Sequence, residues 1–334
     1  WKNFIKKQKN KRMSLVPIIV FCYNRPWHVE QTLEALSRNE LADQSVLYIY
    51  CDGPKADASE EMRQKITDVR QVVRKRQWCR EVHVIEAEKN KGLANSIIDG
   101  VTEVINRHGK VFVLEDDLVS SPYMLKFVNQ ALDYYQDYAG VFSISVNRPP
   151  LSKMQIPKDY SYDVFASLRS YSTGWGTWKD RWNKVDWSMD DFDRCKQNPD
   201  MLRALCRLGD DFPPMMQMQE DGKIDSWAVR FAFSHFKHHA VAILPCKSYV
   251  TNIGFDGTGT HSGTIELIYE NDLSQSVVNP QLLDIVYEDD RIVNAFYNHY
   301  CFAKRPIWKK VINYLFRKLN LPIPFVIKKK IYAK

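Results

Sequence analysis

Four short apolar runs, at 16–23, 46–51, 82–85 and 111–114, separated by longer helix-patterned stretches, constrain this chain more than anything else in it. Each is too short for a core helix and rich in β-branched residues, so each reads as a buried strand. After the first, Asn24 is a possible helix cap and Pro26 falls in the first turn. A long polar helix is expected over 59–77. Leu93, Ile97, Val101, Val104 and Ile105 share one face of a further helix, closed by Gly109. Strand and helix alternating over roughly 100 residues, with right-handed crossovers, predict an α/β fold built on a mostly parallel sheet.

The fourth run ends in Glu115-Asp116-Asp117, followed by a Ser120-Ser121-Pro122 turn. Open α/β sheets bind ligands at their carboxyl edge, and hard divalent cations take carboxylate oxygens while leaving positions for phosphate. The triplet is therefore a candidate metal-diphosphate site; the competing reading is an acidic helix cap. Nothing near residue 24 reads G-x-G-x-x-G, and no G-x-x-x-x-G-K-S/T occurs. Phosphate would then be held by a metal and basic side chains rather than by a glycine loop.

At 334 residues and 45% hydrophobic content the chain can bury a substantial core, which excludes disorder as a whole. Its net charge of +7 is uneven. Residues 1–12 carry six Lys/Arg and residues 304–334 carry ten, both without acids, leaving 31 Lys/Arg against 40 Asp/Glu between them. Basic ends on an acidic body fit tails or a surface anchor better than nucleic-acid binding. Seven scattered cysteines without a C-x-x-C pair argue against a disulfide framework and for a reducing compartment. No apolar run is long enough to span a membrane, and no signal peptide is evident. From Ile307 onward, apolar residues recur at helical spacing opposite Lys309, Lys310, Arg317 and Lys318, the pattern of a basic amphipathic helix lying on an anionic membrane or packing on the domain. The division expected is a basic leader over 1–15, a first half over 16–119, a second half over 120–300, and the tail over 301–334.

Past residue 150 the texture changes. Trp175, Trp178, Trp182, Trp187 and Trp227 sit among Gly, Asp and Arg, as either pocket wall or core. His235, His238 and His239 read as a solvated or amphipathic surface rather than a metal site. Arg148 and Arg169 are candidates to bind acceptor or phosphate, with ordinary salt bridging the expected use, and Cys22 and Cys51 read as small buried apolar residues.

Taken in order, the strand ending in Asn-Arg25, Cys-Asp52-Gly, Leu-Glu115-Asp-Asp117-Leu-Val-Ser-Ser-Pro, Thr173-Gly-Trp-Gly-Thr-Trp178, Ile224-Asp225-Ser-Trp227 and Gly254-Phe-Asp-Gly-Thr-Gly-Thr-His261-Ser-Gly resemble the GT-A glycosyltransferases. The likeness, over roughly 16–263, is greatest to the N-acetylglucosaminyltransferase I group and extends to bacterial GT-A sugar transferases. The resemblance implies that Arg25 and Asp52 hold the uridine and phosphate part, that Asp117 ligates Mn²⁺ or Mg²⁺, that Asp116 lies near the ribose and that Glu115 faces the donor sugar. It also implies Asp225 as catalytic base and His261 in the loop that follows the substrate, with Trp175 and Trp227 as substrate contacts. Two departures from the group are Ile224, where an aromatic precedes the base, and Ser262 between His261 and Gly263.

The chemistry agrees with that distribution of acids. A breaking sugar-diphosphate bond builds negative charge on phosphate, which a divalent cation stabilises, while the incoming hydroxyl needs a metal-free base. Asp225 is the candidate base, with Glu220 and Asp221 as rivals. The expected function is metal-dependent, inverting transfer of a hexose such as N-acetylglucosamine from a UDP-sugar to a glycan or lipid-linked acceptor. The expected setting is surface-polysaccharide assembly, with the enzyme peripheral on the cytoplasmic face of a bacterial membrane. The alternatives are a sugar nucleotidyltransferase and a non-catalytic carbohydrate-binding protein.

Overall fold

The computed structural model describes residues 15–150, 154–257 and 271–300. His261, the tail over 301–334 and nearly all of the basic leader lie outside the described residues.

The first half alternates β1 (Ile18–Cys22), α1 (Pro26–Ser37), β2 (Val46–Cys51), α2 (Glu60–Val73), β3 (Glu81–Glu86), α3 (Leu93–His108) and β4 (Lys110–Glu115). Helix α2 is capped by Ser59, whose hydroxyl accepts from the Met62 amide, and it ends four residues earlier than its polar pattern predicts. Helix α3 closes on Gly109 at φ 80°, a left-handed position that glycine adopts without penalty. Asn24 does not cap α1: the N-cap residue is Arg25, without a side-chain cap bond, and the Asn24 amide points to Met62 Sδ at 3.0 Å.

Beyond the acidic triplet come β5 (Leu118–Ser120), α4 (Met124–Tyr134), β6 (Val141–Ser145), β7 (Val164–Ser167) and β8 (Trp175–Trp178). Four helices follow, α5 (Lys179–Trp182), α6 (Phe192–Gln197), α7 (Pro199–Cys206) and α8 (Phe212–Glu220). The described chain closes with α9 (Trp227–Lys237), β9 (Val241–Pro245), β10 (Val250–Asn252) and α10 (Asp290–Tyr300).

Eight strands form one sheet in the order β3-β2-β1-β4-β8-β6-β9-β7, and β10 pairs separately with β5. Only β8 and β7 run against the other six, so the expected α/β fold with a mostly parallel central sheet flanked by helices is the fold observed. Strands from either side of residue 119 share this sheet. Phe21 stands opposite Glu115, Cys22 opposite Cys51 and Cys51 opposite Glu86, so the carboxyl ends of β1 to β4 finish along one edge.

Alternate residues of each strand bury on opposite faces. Val20, Ile49 and Leu114 pack with Val29 and Leu33 of α1, Val69 of α2 and Val128 of α4. Ile19, Phe21, Val111 and Val113 pack instead with Ile97 and Val101 of α3 and with Trp175, Trp227 and Phe231. Leu93 departs from the predicted apolar face: at the first position of α3 it is exposed.

The tryptophan segment is mostly core. Trp175 and Trp227 stack with centroids 4.8 Å apart and are 2% and 3% exposed, so they are placed inside the molecule rather than on a pocket wall. Trp178 and Trp182 are buried as well. His235 is also no surface residue. It is fully buried, its Nδ1 donating to the Phe231 carbonyl at 2.8 Å and its Nε2 accepting from the Ser143 hydroxyl at 2.8 Å. Burial pushes its pKa down to about 4, which keeps the ring neutral.

Candidate functional site

The carboxyl edge of β1 and β4 brings together Arg25, Asp116 and Asp117. β4 is apolar from Val111 to Leu114, and past Glu115 the next two acids turn toward Arg25 at the adjacent β1 end. The Arg25 guanidinium donates to both oxygens of Asp116 and to Asp117 Oδ2 at 3.0 Å. All three side chains are largely sheltered from solvent. Burial alone opposes the charge on Arg25, but the two carboxylates outweigh it and raise its pKa. Burial raises the Asp116 carboxyl to about 6; the charge of Asp117 adds to that rise, and Arg25 opposes it.

Two neighbours that motif reading missed hold the turn. Thr32 of α1 donates to the Asp116 carbonyl at 2.8 Å and accepts from the Leu118 amide at 3.0 Å. Nothing in a mid-helix threonine announces this. From β10, Asn252 donates to Asp117 Oδ1 at 3.2 Å, and the Ile253 amide donates to the Asp117 carbonyl at 2.9 Å. A Cβ on Gly254 would lie 2.0 Å from Asp117 Oδ2 and 2.9 Å from the Arg25 guanidinium. The Gly254 motif was legible in the sequence, but its packing on Asp117 was not. His28 in the first turn of α1 is buried, with Nε2 3.1 Å from Asp256 Oδ2 though not aligned as a hydrogen bond.

Asp52, just past β2, sits at the same edge but serves its own loop. It accepts from the amides of Gly53 (2.8 Å), Lys91 (2.9 Å) and Gly92 (3.2 Å) and from the Asn90 side chain (2.9 Å). This clamp sets the start of α3. The N-termini of α1 and α3, whose dipoles favour anions, both face the carboxyl edge.

A hard divalent cation fits this donor set. Asp117 offers carboxylate oxygens, packed so closely by the backbone at Gly254 that a side chain there would collide with Oδ2. Among the described residues no group of three or more His, Cys, Asp or Glu side chains is arranged to hold a metal. Asp117, whose Oδ2 also accepts from Arg25 and whose Oδ1 accepts from Asn252, is the side chain that could hold such a cation, with phosphate and water as its other ligands.

Asp225 lies two residues before Trp227, at the start of α9, with its side chain 59% exposed and paired with Arg230 at 2.6 Å. The stacking of Trp227 on Trp175, itself opposite Val113 of β4, ties this segment to the strand that carries the acids. Its rivals are paired elsewhere: Glu220 with Lys196 at 2.6 Å and Asp221 with Lys223 at 2.7 Å. Arg169 does form the ordinary salt bridge expected of it, with Asp211 at 2.8 Å. Arg148 does not; it is fully buried and donates to the backbone carbonyls of Pro149, Cys246 and Met154.

No protein-family model matches the chain, and no curated protein matches it. Among solved structures it is similar to S. aureus TarS, at 10% identity over 71% of this chain and 36% of that one, with a TM-score of 0.38. It is similar to a UDP-glucose pyrophosphorylase complexed with UDP-glucose, at 9% identity over 71% of this chain and 93% of that one, with a TM-score of 0.33. It is also similar to the galactosyltransferase LgtC in complex with donor and acceptor sugar analogs, at 11% identity over 69% of this chain and 86% of that one, with a TM-score of 0.30. The chain spans about a third of the length of TarS.

Proposed function

We propose that this chain is a metal-dependent glycosyltransferase that moves a sugar, with inversion, from a UDP-sugar to a hydroxyl of a glycan. The observation that carries the reading is the Arg25–Asp116–Asp117 cluster at the sheet's carboxyl edge, under a backbone that admits no side chain at residue 254. A guanidinium and two helix N-termini can accept a diphosphate there, and Asp117 can hold a divalent cation beside it. When bound, the cation supplies Lewis-acid stabilisation of the departing phosphate. Arg25, already charged and positioned by Asp116, faces the same negative charge. Asp225 is exposed and clear of this cluster, and it takes the proton of the incoming hydroxyl. Against a nucleotidyltransferase stands the turn between β1 and α1, Tyr23-Asn24-Arg25, which has no glycine.

Calorimetric titration with UDP, first with Mn²⁺ and then with chelator, tests the reading. Metal-dependent binding that disappears in Asp117→Ala is expected. Binding that ignores both metal and substitution would overturn it.

A further inference from the structure

Among the described residues, His28 Nε2 is one of three buried side-chain polar atoms without a hydrogen bond. It belongs to the first turn of α1, just past Arg25, and Asp256 Oδ2 stands 3.1 Å from it. We infer that His28 is a positioning residue for the donor site: its pair with Asp256 holds the segment 252–256 across the Arg25–Asp116–Asp117 cluster. The inference rests on the transferase reading above.

Helical spacing sets the side of α1 on which the ring lies. His28 comes one turn before Thr32 on the same face, and Thr32 bonds the Asp116 carbonyl and the Leu118 amide. Both residues are buried, so this face is the one turned toward the acids.

The segment 252–256 runs from the acids to that ring. At its first end, where β10 stops, Asn252 donates to Asp117 Oδ1 at 3.2 Å and the Ile253 amide donates to the Asp117 carbonyl at 2.9 Å. In its middle the Gly254 backbone packs so closely that a Cβ would stand 2.0 Å from Asp117 Oδ2 and 2.9 Å from the Arg25 guanidinium. At its far end Asp256 meets His28. The backbone is thus held on both sides of Gly254, and with it the carboxylate that would take a cation.

The two partners are unequal, which decides what the pair restrains. The His28 side chain is 6% exposed and that of Asp256 43%. Water can replace the imidazole around Asp256, but a buried ring nitrogen has no such substitute and gains most from the carboxylate beside it. Helix α1 is fixed independently by Val29 and Leu33 in the core. The pair therefore secures the segment to the helix rather than the helix to the sheet.

The test is calorimetric titration of the full chain with UDP and Mn²⁺, as wild type, His28→Ala, Asp256→Ala and the double variant, beside urea unfolding of each. Each single substitution should weaken metal-dependent UDP binding roughly five-fold or more, and the double variant should bind no more weakly than the weaker single one, because both remove the same pair. Asp256→Ala should keep the wild-type urea midpoint, which separates lost positioning from lost folding and serves if His28→Ala does not fold. Wild-type UDP affinity in Asp256→Ala, losses that multiply in the double variant, or a lowered urea midpoint that accounts for the weaker binding of Asp256→Ala would overturn the positioning role alone. A wild-type chain that binds no UDP overturns the transferase reading, and the positioning role with it.

Discussion

At the scale of single residues, the candidate site depends on where charge is held. Asp225 is exposed and anchored by Arg230, whereas Asp116 and Asp117 share Arg25 in a sheltered corner. Replacing Asp225 with Asn should leave UDP binding near normal and lower turnover by roughly 10²-fold or more, the usual size of a lost general base. Normal turnover in that variant would transfer the role to Glu220 or Asp221. Gly254 carries a steric prediction. A methyl group there would collide with Asp117 Oδ2, so Gly254→Ala should cost about 1–3 kcal/mol in stability and weaken UDP binding. A denaturant midpoint and UDP affinity both equal to wild type would show that the backbone has room to yield.

At the scale of elements, the loop between β3 and α3 is organised by one side chain. Four donors from residues 53, 90, 91 and 92 converge on Asp52. Gly53 lets the strands' carboxyl edge approach that loop, since a Cβ would come within 2.6 Å of the Lys89 backbone. Asp52→Ala strands those donors and should lower stability by roughly 1–3 kcal/mol. It should also weaken UDP binding, because the start of α3 is no longer fixed. Wild-type urea unfolding together with wild-type UDP affinity would discard the clamp. The sequence predicted Asp52 at the end of β2 but not the partners at Asn90, Lys91 and Gly92, which lie on the next crossover.

At the scale of the whole molecule, His235 couples packing to pH. Its folded pKa of about 4 lies below the ordinary 6.5, so the neutral form is favoured by folding. Stability from this source is complete above about pH 6.5 and is lost as pH falls toward 4, by on the order of 3 kcal/mol. Chemical unfolding of wild type and His235→Gln across that window should show a shallower decline in the variant; parallel curves would rule the coupling out. The ring's partners come from α9 and β6, so the loss would be felt where the second half of the sheet is assembled.

The sequence by itself determined the strand and helix alternation of the first half, the carboxyl-edge position of Glu115-Asp116-Asp117 and the α/β class. Periodicity and chain chirality are local and act through burial of neighbouring residues. Only the tertiary structure decided that β8 enters antiparallel between β4 and β6, that Trp175 and Trp227 are core while Trp187 is left half-open, and that Gly254 closes on Asp117. Those outcomes are contacts between residues tens to more than a hundred positions apart. A four-residue apolar strand such as Trp175–Trp178 states that it must be buried but not beside which strand, and a tryptophan states its size but not which face the assembled sheet will cover.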